Sequence, residues 1–399
     1  MRTICEGRRP EASSAFAFFR NTLALIRMLC EIVEGITDKE TTDMFRFSTP
    51  ASTLTFLCLL PLLSRAQDTS SALFSFDQDI RVFTAQACQN AAGYDDEWRK
   101  DGMHPLRIEI RNDLSRTLDS SFVQKLHAFR KACSGDWSSW ASYALLTNGP
   151  PDFRLSYDSK ITPYGDKTRD DMSGLSTLLA EFYTKAHVPE LWQKYGPRFQ
   201  ELNDQFRPHA DRALDDITQY CRLDKDYFSR KASRMHVVFA PLQSYFTAFT
   251  DKVGDVIYLV FGPQVSEPSP SSFYHEALHH VLSPLTEELD SGVTKRFTEL
   301  YALATSDGHI GYGHIDEAFV RTMGCILTGK LFGQSDSTVI ANVTNEYKLG
   351  FILCLSIYEQ LKQYETSQVT FAAYFPRIIA NIDVEHEKQR WRELTKRPR

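Results

Sequence analysis

The sequence has no excess of positive charge: 45 lysine and arginine residues stand against 51 aspartate and glutamate residues, and the formal net charge at pH 7 is −6. Because nucleic acid binding depends largely on cations that neutralise phosphates, nucleic acid is not expected to be a partner. None of the 8 cysteines forms a Cys-x-x-Cys pair, which excludes the common thiolate zinc site and the thioredoxin-type redox pair. No apolar run reaches the roughly 18 residues of a helix that spans a membrane. No stable membrane span is therefore expected once any N-terminal signal peptide has been cleaved.

The composition is otherwise that of a globular protein. Hydrophobic residues make up 42% of the 399 residues, charged residues 24% and aromatic residues 12%, which excludes wholesale disorder and a low-complexity chain. At about 150 residues per domain, the length allows two or three domains.

Residues 44–66 have the pattern of a secretory signal peptide. A short basic start is followed by a ten-residue apolar run, Leu54–Leu63, and the small residues of Ser64-Arg65-Ala66 precede a cleavage site before Gln67. We therefore predict a protein that is secreted or periplasmic. A signal peptide should begin the chain, so residues 1–43 are interpreted as a mis-called extension; the alternative is a genuine N-terminal segment that contains a helix.

The remaining chain has two regions. Residues 67–230 carry apolar residues at helical spacing and predict a helical N-terminal region. Two β-branched and aromatic runs, Met235–Ala240 and Val256–Phe261, predict strands. The chain after them is helical in pattern until a charged tail, residues 385–399, which is expected to fray. The predicted fold class is α+β, predominantly helical, with a small β-sheet in residues 231–399.

The second region contains an HExxH pattern within the sequence FYHEALHH, residues 273–280. On a helix, His275 and His279 share one face and can direct both imidazole rings at one Zn²⁺ ion. Glu276 then lies beside the metal, where its carboxylate can take a proton from a water molecule that zinc activates.

The helix that carries this pattern is predicted to be buried on one side and to end at Ser283-Pro284. His280 lies about 100° around that helix from His279. We interpret His280 as a structural residue rather than a metal ligand.

A hydrolytic zinc site usually has three protein ligands and one open position, so a third ligand is expected downstream. Glu299 lies 20 residues after His279, a spacing known in Glu-zinc peptidases. Glu317 follows a glycine-rich segment and opens an apolar helix. Spacing alone slightly favours Glu299, and further candidates by ligand type are His309, His314 and Asp316.

Five segments carry a family resemblance: LLAEFYTKAHVPELWQKYGPRF, FYHEALHHVLSPL, GYGHIDEAFVR, GFILCLSIYEQLKQYE and FAAYFPRIIANI. They cover most of residues 175–385 and resemble a bacterial domain-of-unknown-function family of exported HExxH proteins, taken to be zinc metallopeptidases of the Glu-zincin type. The resemblance implies a zincin-like catalytic domain in residues 231–399.

The family carries an aromatic residue with a glycine, a short spacer and a Glu-x-x-x-Arg helix, which here fall on Tyr312, Gly313, Glu317 and Arg321. The resemblance therefore implies Glu317, rather than Glu299, as the third zinc ligand. This sequence departs from the family pattern at His280 and His314.

Each candidate residue has an expected role. Glu276 is predicted to act as general base and then as general acid. Arg321, four residues after Glu317, can hydrogen-bond the Glu317 carboxylate without binding the metal itself. The alternative is that Arg321 and Glu317 form an ordinary surface ion pair. Tyr312 is predicted to donate to the developing oxyanion, with His314 and His309 as rivals.

These features predict an exported zinc-dependent peptidase that acts on a peptide or protein substrate. The strand Val256–Phe261 is either the sheet edge onto which an extended peptide pairs or plain sheet core. Two rival hypotheses are a non-catalytic zinc- or peptide-binding protein with a degenerate zincin fold, and a zinc hydrolase of a non-peptide bond. The intact Glu276 argues against the first, while the sequence does not separate the second from proteolysis and leaves the oligomeric state open.

Overall fold

The computed structural model describes residues 73–95, 102–133, 138–156, 172–264, 270–289, 291–306 and 315–395. The chain divides into two compact units, Met1–Thr69 and Ser70–Arg399, and every described residue belongs to the second. The signal peptide predicted in residues 44–66 and the extension before it lie outside the described residues. They stay predictions, as does a domain boundary near residue 230.

Helices dominate the described part of the chain. Those before residue 232 are α1 (Ile80–Ala91), α2 (Pro105–Thr117), α3 (Ser120–Ala132), α4 (Ser139–Leu145), α5 (Leu175–Lys185), α6 (Val188–Asp204), α7 (Arg207–Cys221) and α8 (Tyr227–Lys231). Those after residue 269 are α9 (Pro270–Glu287), α10 (Ser291–Ser306), α11 (Ile315–Leu331), α12 (Asp336–Lys348), α13 (Cys354–Thr366), α14 (Phe371–Asn381) and α15 (Val384–Thr395). None of these described helices is both long and apolar enough to cross a membrane.

One mixed sheet, with the strand order β1-β2-β4-β3, is built from β1 (Phe74–Ser75), β2 (Arg234–Phe239), β3 (Ala248–Val253) and β4 (Val256–Phe261). β2 runs parallel to β1 and β4, whereas β3 is antiparallel to β4. The two predicted strands and the α+β, mostly helical class are confirmed. β1, which lies in the region predicted to be helical, was not predicted. β3 was not predicted either, because its sequence AFTDKV lacks a clear alternation of apolar and polar residues.

β4 is an inner strand. It pairs with β2 on one side and with β3 on the other over its whole length, Val256–Phe261. The hypothesis that this strand is a peptide-binding edge is therefore wrong, and the alternative of sheet core is confirmed. Among the described strands, β3 forms the edge on that side, and its charged Asp251 and Lys252 are typical of an edge strand.

The sheet separates two hydrophobic cores, because successive side chains of a strand point to opposite faces. One face, which includes Ile257 and Leu259, packs against α7 and the helices from α9 onward. The other face, which includes Val238 and Val260, packs against α1 to α6. α9, the helix of the HExxH pattern, thus lies between the sheet and the C-terminal helices.

α9 extends to Glu287, so the prediction that it ends at Ser283-Pro284 is wrong. Pro284 has no N–H with which to bond the carbonyl of His280, four residues earlier. The hydroxyl of Tyr227 on α8 donates to that carbonyl instead, at 3.1 Å. This substitute donor satisfies the carbonyl that the proline leaves without its helical partner.

The charged tail is helical rather than frayed. On α15, the side chain of Trp391 is fully buried, and its ring lies 5.6 Å from the ring of Tyr347 on α12. The buried carboxylate of Glu387 accepts a hydrogen bond from Ser356 at 2.5 Å. The prediction of fraying is therefore wrong as far as Thr395, because a large apolar side chain holds the helix on the core.

Two glycines of α11 are expected to change stability in opposite directions when replaced by alanine. A Cβ at Gly329 would lie 2.3 Å from Cγ2 of the buried Val339 on α12, whereas a Cβ at Gly324 would meet nothing within 4 Å. We expect Gly329→Ala to lower the free energy of unfolding by about 1–3 kcal/mol, because a stiff valine must move. Gly324→Ala should raise it by up to about 1 kcal/mol through helix propensity. Chemical denaturation measures both, and equal changes would contradict close packing of α11 on α12.

Candidate metal centre

The candidate site forms where α9 packs along α11. Leu278 of α9 and Phe319 of α11 are fully buried in the same core, which holds the two helices together. This packing places Glu317, in the first turn of α11, against His275 and His279 of α9.

His275, His279 and Glu317 offer three ligand atoms that all lie within 4.8 Å of one another. Nε2 of His275 is 3.7 Å from Oε1 of Glu317, and Nε2 of His279 is 3.5 Å from Oε2 of Glu317. Ligand atoms bound at about 2.0–2.1 Å to one tetrahedral ion lie about 3.4 Å apart, so small movements would bring these atoms onto one ion. The described residues therefore contain a candidate metal-binding triad.

Arg321 holds the Glu317 carboxylate in place. Its Nε donates to Oε1 of Glu317 at 2.6 Å, and its Nη1 donates to Oε2 of Glu346 on α12 at 2.7 Å. The guanidinium also stacks on the ring of Phe351, with Cζ 3.8 Å from the ring centroid. Sequence reasoning missed Glu346 and Phe351, because no local pattern relates them to Arg321, which lies 25 residues before Glu346.

Burial and neighbouring charges set the charge states of Glu317 and His275. Burial works against the charge of Glu317, but the positive charge and the hydrogen bond of Arg321 outweigh this effect and lower the pKa of the Glu317 carboxyl below its usual value. Burial also disfavours the charged form of His275 and lowers its pKa to about 3. His275 is therefore a neutral imidazole, which is the form that binds a metal.

Asp316 contacts the other ring nitrogen of His279. Its Oδ2 lies 3.4 Å from Nδ1 of His279 and accepts a hydrogen bond from Ser283 at 3.3 Å. Burial opposes a charge on His279, but Asp316 and the neighbouring carboxylates outweigh it and raise the pKa of His279 to about 8. Since a carboxylate on Nδ1 leaves Nε2 to face the metal, Asp316 lies beside the ligand set and not within it.

We expect Asp316→Asn to weaken metal binding by about 10- to 100-fold, because the amide orients the His279 ring less strongly than the carboxylate does. A titration in competition with a chromophoric chelator measures the affinity. Asp336→Asn is the matched control, since Asp336 is also an acid in the first turn of a helix but is 81% exposed and pairs with Lys362. Equal affinities of the two variants would show that Asp316 does not orient His279.

Glu276 lies next to the triad and is only 2% exposed. Its Oε1 is 3.9 Å from Nε2 of His275, and it accepts no hydrogen bond from any residue in the described part of the chain. Burial raises the pKa of Glu276 to about 8. A buried carboxyl group with a strongly shifted pKa, beside a metal-binding triad, is typical of an acid–base residue in an active site.

Glu299, the third ligand that spacing alone favours, lies away from the triad on α10. Its side chain is 74% exposed and forms an ion pair with Lys388 of α15. The hydrogen bond from Lys388 lowers the pKa of Glu299. The carboxylate that faces the two histidines is therefore that of Glu317.

Contacts on either side of the HExxH turn tether α9 to its neighbours. The hydroxyl of Tyr274 donates to Oδ2 of Asp216 on α7 at 2.6 Å. Nε2 of His280 lies 2.7 Å from Oγ1 of Thr250 on β3, and burial lowers the pKa of His280 to about 4. His280 thus faces the sheet rather than the ligand atoms. Sequence reasoning missed both partners, Asp216 and Thr250, because they come from distant elements.

Three residues singled out in the sequence lie outside the described residues: Tyr312, His314 and His309. The role predicted for Tyr312 or His314 near the oxyanion therefore stays a prediction.

Comparison of the chain with models of protein families, with curated proteins and with solved structures found no match. The resemblance to a family of exported HExxH proteins stays a prediction. Function is therefore inferred from the geometry of the site.

Proposed function

We propose that the protein is an exported zinc-dependent peptidase with a zincin-like catalytic part in residues 231–399. One observation carries the proposal: the triad of His275, His279 and Glu317 lies next to the buried carboxylate of Glu276. The triad alone would suit a metal-binding protein, whereas a buried carboxylate beside it suits an enzyme.

The residues present fit a zinc ion. Two imidazole nitrogens and one carboxylate are a ligand set typical of catalytic zinc, and three protein ligands leave a fourth position open. Arg321 hydrogen-bonds the carboxylates of Glu317 and Glu346, while Asp316 lies beside His279. A divalent cation held by the triad would interact favourably with these carboxylates.

A bound zinc ion would polarise the substrate carbonyl and make a water molecule acidic. Residues of the chain would carry out the other steps. Glu276 would take the proton from that water and pass it to the leaving amine. Arg321 keeps the Glu317 carboxylate in position through a bond of 2.6 Å, and Asp316 orients the ring of His279.

β3 favours a peptide over other substrates. It forms the edge of the sheet that the described residues build and packs against α9, and such an edge can pair with an extended chain. Successive residues of a helix are about 100° apart around its axis. Viewed along α9, Glu276 therefore lies between the face that carries the two ligand histidines and the position of His280, and His280 contacts β3. A peptide bond held along β3 would therefore lie on the Glu276 side of the metal.

Metal analysis of the dialysed protein, followed by digestion of a mixed peptide library, tests the proposal. We expect about one zinc ion per chain and cleavage that stops with a chelator and returns when zinc is restored. Zinc binding without cleavage would favour a non-catalytic binding protein. Cleavage that persists after complete removal of metal would overturn the proposed mechanism.

A further inference from the structure

His280 ties the metal helix α9 to the edge strand of the sheet. Its Nε2 lies 2.7 Å from Oγ1 of Thr250, a residue of β3 that is in register with Leu259 of β4. Because the sheet holds Thr250, this residue cannot follow a movement of α9 while the strand pairing is intact. The bond therefore fixes the separation of α9 and β3 at this point.

The hydrogen bond between His280 and Thr250 lies close to the helical turn that carries Glu276. His280 follows Glu276 by four residues, so the two side chains lie on the same side of α9, about one turn apart. A change in the spacing between β3 and this turn would therefore displace Glu276 relative to a chain paired with β3.

We propose that His280 is a positioning residue that, through Thr250, sets the distance between a peptide paired with β3 and the carboxylate of Glu276. This inference rests on the peptidase function proposed above. It gives the histidine that follows the HExxH pattern a role in aligning the substrate, separate from metal binding.

A second contact to His280 supplies an internal control. Tyr227 donates to the backbone carbonyl of His280 at 3.1 Å and satisfies the carbonyl that Pro284 leaves without its helical donor. This bond joins α9 to α8 and does not involve β3. Its loss should weaken α9 without changing the link between the helix and the edge strand.

Thr250→Val removes the hydroxyl with little change of shape, whereas Thr250→Ser keeps it. We expect Thr250→Val to lower kcat by about tenfold or more, with KM within about twofold of the parent and metal content unchanged, because alignment rather than binding is impaired. Thr250→Ser should retain most of the parent kcat. Tyr227→Phe should lower Tm and leave kcat close to that of the parent.

A double-mutant cycle measures the coupling between His280 and Thr250. His280→Leu is expected to lower kcat to the same extent as Thr250→Val, and the double variant should lower it no further, because each change removes the same interaction. Losses that multiply in the double variant would overturn the coupling. Equal kcat values for Thr250→Val and Thr250→Ser would also overturn it, since the hydroxyl would then have no role.

The parent protein distinguishes failure of this inference from failure of the peptidase function. A parent that binds metal and cleaves no peptide would overturn both. An active parent whose Thr250→Val variant keeps the parent kcat would overturn the positioning role alone.

Discussion

Replacing Glu276 by glutamine is expected to leave the metal content unchanged and to lower peptide turnover by a factor of hundreds or more. General-base catalysis contributes roughly 10²–10⁴-fold, and the two other described carboxylates that contact the triad each have another role. Asp316 contacts His279, and Glu317 is a candidate ligand held by Arg321. Metal analysis and peptide turnover, measured on one preparation, test the two parts of this expectation.

Loss of turnover in Glu276→Gln should not reflect loss of folding. Burial raises the pKa of Glu276 to about 8. In the metal-free protein, the contribution of Glu276 to the free energy of unfolding therefore falls as the pH rises from the ordinary pKa of a glutamate through the raised pKa. A neutral amide is therefore expected to cost no stability at neutral pH. Glu299→Gln, the same change at an exposed residue, is the control and should behave as the parent. Cleavage by Glu276→Gln at the parent rate would remove Glu276 from the chemistry.

Replacing Glu317 by alanine is expected to abolish metal binding at concentrations that load the parent. Its two carboxylate oxygens lie 3.7 Å and 3.5 Å from the Nε2 atoms of His275 and His279, so the substitution removes one ligand of three. The loss of affinity should exceed the roughly 10- to 100-fold expected for a residue that only orients a ligand, such as Asp316. Turnover should disappear together with the metal.

Glu299→Ala is the matched control for this experiment, because Glu299 is the carboxylate with the familiar spacing from His279. We expect it to bind metal as the parent does, since the exposed Glu299 side chain pairs with Lys388 of α15 and not with the triad. Glu317→Gln keeps the volume of the side chain beside Arg321 and separates loss of a ligand from loss of packing. Metal loss in Glu299→Ala, or full metal binding in both Glu317 variants, would show that the triad is wrongly assigned.

The sequence by itself determined the parts of the site that lie within one turn of a helix. His275 and His279 are four residues apart, and a helix places such residues on one face whatever the rest of the chain does. Glu276 is adjacent for the same reason. The runs that form β2 and β4 were also evident, because apolar, β-branched residues mark buried strands locally.

The tertiary structure decided between Glu299, which spacing slightly favours, and Glu317, which the family resemblance implies. Spacing along the chain does not say which later helix packs on α9. α11 packs there, whereas Glu299 on α10 faces outward to Lys388. The structure likewise separated Asp316 from Glu317, adjacent residues whose side chains reach different nitrogens of His279. It also placed Thr250 opposite His280. Helical periodicity is a local property that a sequence displays directly, but contacts between distant elements depend on how whole faces pack, and no short pattern records that.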